Sequence, residues 1–221
     1  MTRQTKKPLP LIVGRPALVM IDFQRDMYLP GSEGGIPRMG GAEVRVPRAR
    51  GLVDAARRYG VPVIFIQEVH RPDLIDFGRE LDGQEDVHCI EGQRLTEIAA
   101  EDVDFRPGDY FVPKRRYSAF FGTDFEILLK GLKAETLILT GGLTDVCVHY
   151  TFVDAHQHNY HCRVVEDCVG GSSQPAHEAA LQAMEYLQTG ARCSSAAVLD
   201  AFEGYRRMSA SSSTERSVAP A

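Results

Sequence analysis

Short apolar runs alternate along this chain with segments whose apolar residues recur at helical spacing. Ala17 to Phe23 (ALVMIDF), Val61 to Gln67 (VPVIFIQ) and Thr136 to Thr140 (TLILT) are unbroken apolar stretches of strand length. Strands buried on both faces read this way, without polar alternation. Asp109 to Val112 and His161 to Val165 predict two further strands. Helical spacing marks Pro47 to Tyr59, with Gly60 to stop it, and also Phe125 to Leu132, Val146 to His158 and Pro175 to Leu187. Arg94 to Ala100 predicts a short helix, and Ala196 to Phe202 closes the domain. Glycine- and proline-rich residues 28–41 and polar residues 68–92 predict loops.

Strands alternating with helices predict an α/β fold, a single-domain three-layer α/β/α sandwich around a mainly parallel sheet. The 221 residues suit one such domain. It is expected over residues 11–207, after an N-terminal arm (1–10) and before a small, polar, disordered tail (208–221). In such sheets ligands bind beyond the carboxyl ends of the strands. Asp22, Lys114 and the turn from Gly141 to Cys147 all follow strands, which places them at one rim.

Composition narrows the function classes. Lys and Arg total 25 against 30 Asp and Glu, and they are scattered, so no basic stripe for nucleic acid is expected. No apolar run is long enough to span a bilayer, and no signal peptide is evident, so the expected compartment is the cytoplasm. The five cysteines, Cys89, Cys147, Cys162, Cys168 and Cys193, form no CxxC pair. Neither a disulfide framework nor a structural zinc cluster is predicted.

Three residues stand out chemically. Cys147, in TGGLTDVCVHYT, lies at the start of a helix after a strand and two glycines. Free N–H groups and the helix dipole favour a thiolate there and can hold an oxyanion. A lone cysteine is otherwise a small buried packing residue. Asp22 ends an apolar strand, where it serves either as a base or as a structural hydrogen-bonding group. Lys114, next to Arg115 and Arg116, is either a site residue or part of a solvated basic run.

Together, ALVMIDFQRDM, PKRRYSAFFGTDFEILL and LILTGGLTDVCVHYTFVDAHQHNY resemble the isochorismatase-like cysteine hydrolase family, over almost all of residues 12–202. The resemblance implies a catalytic triad of Asp22, Lys114 and Cys147. It also implies a cis Gly142–Leu143 peptide and an oxyanion hole built from the amides of Leu143 and Cys147. Members without the cysteine cleave vinyl ethers, so Cys147 points to an amide. EVHRPDL is similar to the biuret hydrolase branch, and PKRRYSAFFGT to ureidoacrylate amidohydrolases. The implied substrate is a small amide or ureide resembling biuret or triuret. Nicotinamidase, maleamate amidase and N-carbamoylsarcosine amidase activities, or a non-catalytic binding role, are the alternatives.

Phe23, Phe120 and Phe121 are candidate walls for a flat substrate, and Arg115 a candidate contact for a carboxylate or carbonyl. Nicotinamidases of this family bind zinc through an Asp-x-His pair and a later histidine, and Glu68, His70 and His88 fall in similar places. Glutamate replaces the aspartate, so no metal and no cofactor is expected. The expected partners are the small-molecule substrate and, by resemblance, further copies of the chain.

Overall fold

The computed structural model describes residue 7, residues 9–28 and residues 35–216. Six strands form one sheet in the order β3-β2-β1-β4-β5-β6, and every pairing is parallel. They are β1 (Pro16–Ile21), β2 (Val63–Glu68), β3 (Tyr110–Lys114), β4 (Thr136–Gly142), β5 (His161–Gly170) and β6 (Arg192–Cys193). The helices are α1 (Ala42–Tyr59), α2 (Ala100–Val103), α3 (Phe125–Leu132), α4 (His149–Gln157), α5 (Gln174–Leu187) and α6 (Ser195–Arg216).

Two cores flank the sheet. Ala17, Val19 and Ile21 of β1 face a cluster with Phe125, Leu129, Phe152 and Leu181, from α3, α4 and α5. Leu18 and Met20, one residue out of phase, face Leu52, Val53, Val198 and Phe202, from α1 and α6. This two-sided burial is why β1 reads as a continuous apolar run. Among the described residues, no helix is long and apolar enough to cross a membrane.

Register aligns the strand ends that matter. Ile21 pairs with Ile66 on one side and Gly141 on the other, and Glu68 pairs with Lys114. Asp22, one residue beyond Ile21, donates its backbone N–H to Ile66 O at 3.0 Å. Gly141 has φ +109°, and a Cβ there would stand 1.9 Å from the Ile21 carbonyl oxygen, so only glycine lets β4 pass this close to β1.

Several boundaries differ from the sequence expectations. Helix α1 starts at Ala42 rather than Pro47, and carries Pro47 inside it. The proline forfeits one helical hydrogen bond, while Gly41 in a left-handed conformation sets the start. Residues 94–100 form a 3-10 turn (Arg94–Thr96) followed by α2 from Ala100. Strand β5 runs on to Gly170, past a register irregularity opposite Leu139 and Gly141. Helix α6 continues to Arg216, through residues 208–216 of the expected disordered tail. No glycine or proline interrupts residues 205–216, and Ala, Ser, Glu and Arg all tolerate helix there. Residues 217–221 and most of the arm lie outside the described residues.

Candidate active site

Lys114 ends β3 with its side chain fully buried. Its ammonium lies 2.9 Å from Asp22 Oδ2, 2.6 Å from Glu68 Oε2 and 3.4 Å from Cys147 Sγ. The three residues singled out in the sequence therefore meet, and Glu68, considered there only as a metal ligand, is a fourth member. The Cys147 thiol lies 3.3 Å from Glu68 Oε2, and donor atoms of Asp22, Glu68 and Cys147 all fall within 4.8 Å of one another. Asp22 adopts φ +52°, a conformation aspartate tolerates better than most residues, and its Oδ1 accepts the Glu68 N–H at 2.9 Å. Gln24 locks the same corner: its Oε1 also accepts the Glu68 N–H, and its Nε2 donates to Glu68 O and Thr96 O.

Strand β4 delivers Cys147 through the turn that follows it. The Gly142–Leu143 peptide is cis. Residues Thr144–Val148 form a π-helical turn leading into α4, so Cys147 lies in the first turns of a continuous helical segment. The turn is anchored to α5. Thr144 Oγ1 lies 2.9 Å from His177 Nδ1, and Asp145 accepts hydrogen bonds from Ser172 N and Oγ at 2.8 and 2.5 Å.

The electrostatics correct one expectation. A helix start by itself favours a thiolate over a thiol. Instead burial, and after it the Glu68 carboxylate, pushes the Cys147 thiol well above the usual range, with Lys114 opposing. Burial also pushes Asp22 up to about 6, against Lys114 and with help from Glu68. Burial works on Glu68 in the same sense, but Lys114, followed by His70 and His88, outweighs it and holds this carboxyl well below its usual range. Burial would lower Lys114, yet Asp22, Cys147 and Glu68 around it hold it well above. At neutral pH the site thus carries a thiol, an ammonium, a firmly ionised Glu68 and an Asp22 carboxylate with unusual proton affinity. Such an arrangement can move one proton between sulfur, Asp22 and a leaving group.

A cavity of about 30 Å³ opens beside Cys147, roughly the space of a few waters, and so suits a small ligand. Asp26, Met39, Glu85, Tyr117, Leu143 and Val146 are among its walls. The proposed aromatic walls are not among them. Phe23 is fully buried in the core under α1, because the chain turns at Asp22 and sends the next side chain inward. Phe120 stacks on His158 and packs edge-on against Phe125, and Phe121 is 65% exposed. Arg115 donates to Val69 O at 2.8 Å and faces Asp76 and Glu91, away from the cavity. The sequence reading missed Gln24, Asp26, Glu85 and Tyr117. Gln24 and Asp26 stand within four residues of Asp22, and Tyr117 three beyond Lys114, so proximity to the named residues was the available signal.

Glu68, His70 and His88 do come together, and Glu80 joins them, with one donor atom from each within 4.8 Å of the others. Both Glu80 carboxylate oxygens are buried without a hydrogen-bond partner, although His70 Nε2 stands 3.2 Å from Oε2. Two carboxylates and two imidazoles are a donor set that suits zinc or another divalent ion, and the unpartnered Glu80 oxygens fit one. Such an ion would be held by these four residues and would supply positive charge beside the cavity. Without it, His70 takes the cationic role. Burial opposes its protonation, but Glu68 and Glu80 hold its pKa up at about 9.

A family profile described as "Isochorismatase domain" matches residues 16–198. Maleamate amidohydrolase of Pseudomonas putida is 33% identical over 171 residues, 76% of this chain and 78% of the relative. Ureidoacrylate amidohydrolase RutB of Azorhizobium caulinodans is 29% identical over 180 residues, 73% of this chain and 78% of the relative. The crystal structure of N-carbamoylsarcosine amidase from Thermoplasma acidophilum superposes with a TM-score of 0.69 at 28% identity, covering 82% of this chain and 97% of that one.

Removing the buried ammonium leaves two carboxylates facing each other without a counter-ion. Lys114→Ala is expected to lower stability by about 3–5 kcal/mol at pH 7.5 in urea unfolding. A loss under about 1 kcal/mol would contradict this arrangement of charges.

Proposed function

The chain belongs to the isochorismatase family, and from that premise we propose that it is a cysteine amidohydrolase that cleaves a C–N bond of a small amide or ureide. The observation that carries this reading is the Lys114 ammonium, which touches Asp22, Glu68 and the Cys147 sulfur at once. Cys147 is the nucleophile. As sulfur attacks the carbonyl carbon, its proton passes to Asp22, and Lys114 stabilises the charge on both. The developing oxyanion is held by the backbone N–H groups of Leu143 and Cys147. Collapse of the tetrahedral adduct breaks the C–N bond, and the leaving nitrogen takes the proton from Asp22. A thioester remains on sulfur. Water then gives a proton to Asp22 and its oxygen to the acyl carbon, and the C–S bond breaks. The proton returns to sulfur, and the acid departs. Glu68, ionised throughout, serves as the standing counter-ion of Lys114, which leaves Asp22 free to cycle its proton.

Three relatives are named for maleamate, ureidoacrylate and N-carbamoylsarcosine, and the last two names contain a ureido or carbamoyl nitrogen. Together with the small cavity, this supports a compact ureide such as biuret or triuret. All five cysteines are unpaired, which supports a reducing, cytoplasmic setting.

Ammonia release from a panel of biuret, triuret, nicotinamide and maleamate tests the reading. Cys147→Ala is expected to abolish release on every substrate while circular dichroism stays native. Activity persisting in that variant would refute the nucleophile.

The pH dependence follows from Asp22. It must be ionised to accept the thiol proton, and its pKa is raised to about 6. kcat/KM is expected to be level above that value and to fall about tenfold per pH unit below it. An acid limb centred near pH 4 would show that Asp22 is not the acceptor.

A further inference from the structure

The cavity carries a charge pattern that the chemistry above leaves unused. Asp26 sits on the short turn Arg25–Tyr28, four residues beyond Asp22. It is 5% exposed and lines the cavity. Its only hydrogen-bond partner among the described residues is the Cys89 thiol, 3.6 Å from Oδ2. A thiol is a weak donor, so this carboxylate keeps acceptor capacity next to the cavity. Glu85, another lining residue, accepts only from the Tyr117 hydroxyl, at 2.7 Å, among the described residues.

The positive charge that lines the same space is already matched: His88, on its wall, lies 3.7 Å from Glu68 Oε1. No arginine lines the cavity among the described residues. Arg115 and Arg116 are held by the backbone carbonyls of Val69, Asp76 and Arg115. Arg38 lies between two lining residues, Pro37 and Met39, but its side chain is half exposed and faces Glu43 at 3.9 Å. The Lys114 ammonium already stands between two carboxylates.

Resting on the amidohydrolase reading, we propose that Asp26 is a specificity-determining residue. Its carboxylate accepts an N–H from the end of the substrate remote from the reacting carbonyl, so the site takes uncharged, N–H-rich ureides and rejects amides that carry a carboxylate. A ureide turns its second carbamoyl nitrogen toward Asp26 and forms a charge-assisted hydrogen bond with a buried carboxylate otherwise served by sulfur alone. An acid amide of similar length brings a second anion against Asp26 and Glu85, with no guanidinium to compensate, and like charges in such a space are strongly unfavourable. This separates the chain's preference from those of the relatives named for maleamate and ureidoacrylate, whose names denote carboxylates.

The test compares biuret with maleamate at pH 8. Wild-type kcat/KM is expected to favour biuret by at least about 100-fold. In Asp26→Asn, which keeps shape and removes charge, that ratio is expected to contract about tenfold or more, chiefly through KM. A ratio near one or in favour of maleamate in the wild type overturns the proposal, as does a ratio unchanged in Asp26→Asn.

Calorimetric titration of the Cys147→Ala protein with the same two compounds gives a readout that needs neither turnover nor the Asp26 variant. Biuret is expected to bind at least about tenfold tighter. Tighter maleamate binding that is lost in Cys147→Ala/Arg38→Ala would move anion recognition to Arg38 and overturn the proposal. No ammonia from any substrate, with the binding preference intact, would defeat the hydrolase reading alone. Turnover of maleamate in preference to biuret would defeat the specificity alone.

Discussion

A fully buried ammonium sets the terms for this molecule. Lys114 has no contact with solvent, and a charge so placed is stable only where opposite charges and hydrogen bonds replace its water. Asp22 and Glu68 replace it, one directly after β1 and the other at the end of β2 in the same parallel sheet. The register that pairs Glu68 with Lys114, and Ile21 with Ile66 and Gly141, is therefore an electrostatic requirement as well as a packing one. A one-residue slip would turn these side chains to the other face of the sheet and leave the ammonium among hydrocarbon.

The same charge divides the labour of the two carboxylates. Glu68, pressed against Lys114 and backed by His70 and His88, stays ionised, whereas burial lifts Asp22 to a proton affinity near neutrality. Two acids whose environments push their proton affinities apart can take different roles, one as fixed charge and one as proton carrier. The resting sulfur stays protonated, because burial, and after it the Glu68 carboxylate, outweighs Lys114. In the proposed cycle the thiolate exists only as the proton moves to Asp22 and the carbonyl is attacked, which limits reaction of the sulfur with other electrophiles.

The sheet, its flanking helices and the meeting of Asp22, Lys114 and Cys147 were legible because they rest on local signals. These are apolar runs that end in a polar residue, and two glycines ahead of a helix. Glu68 was harder to read. It ends β2, but in sequence it opens a polar loop, and only strand register shows that it faces Lys114. The cavity walls were misread for a similar reason. Phe23 follows Asp22, and the left-handed backbone at Asp22 sends the chain inward, so the ring joins the core. Tyr117 and Glu85, 32 residues apart in the chain, meet through one hydrogen bond that no spacing rule anticipates. The thiolate expectation failed because helix position was weighed without the burial of the sulfur in the folded chain.

The proposed chemistry turns on a covalent step at one sulfur, which rapid quenching can catch. Enzyme mixed with excess ureide and quenched in acid within milliseconds is digested and weighed by mass spectrometry. An added acyl mass is expected on the peptide containing Cys147, formed and lost at rates that match ammonia release. Ammonia released at full rate with that peptide unmodified at every time point, or with the added mass on Cys89 instead, would contradict it.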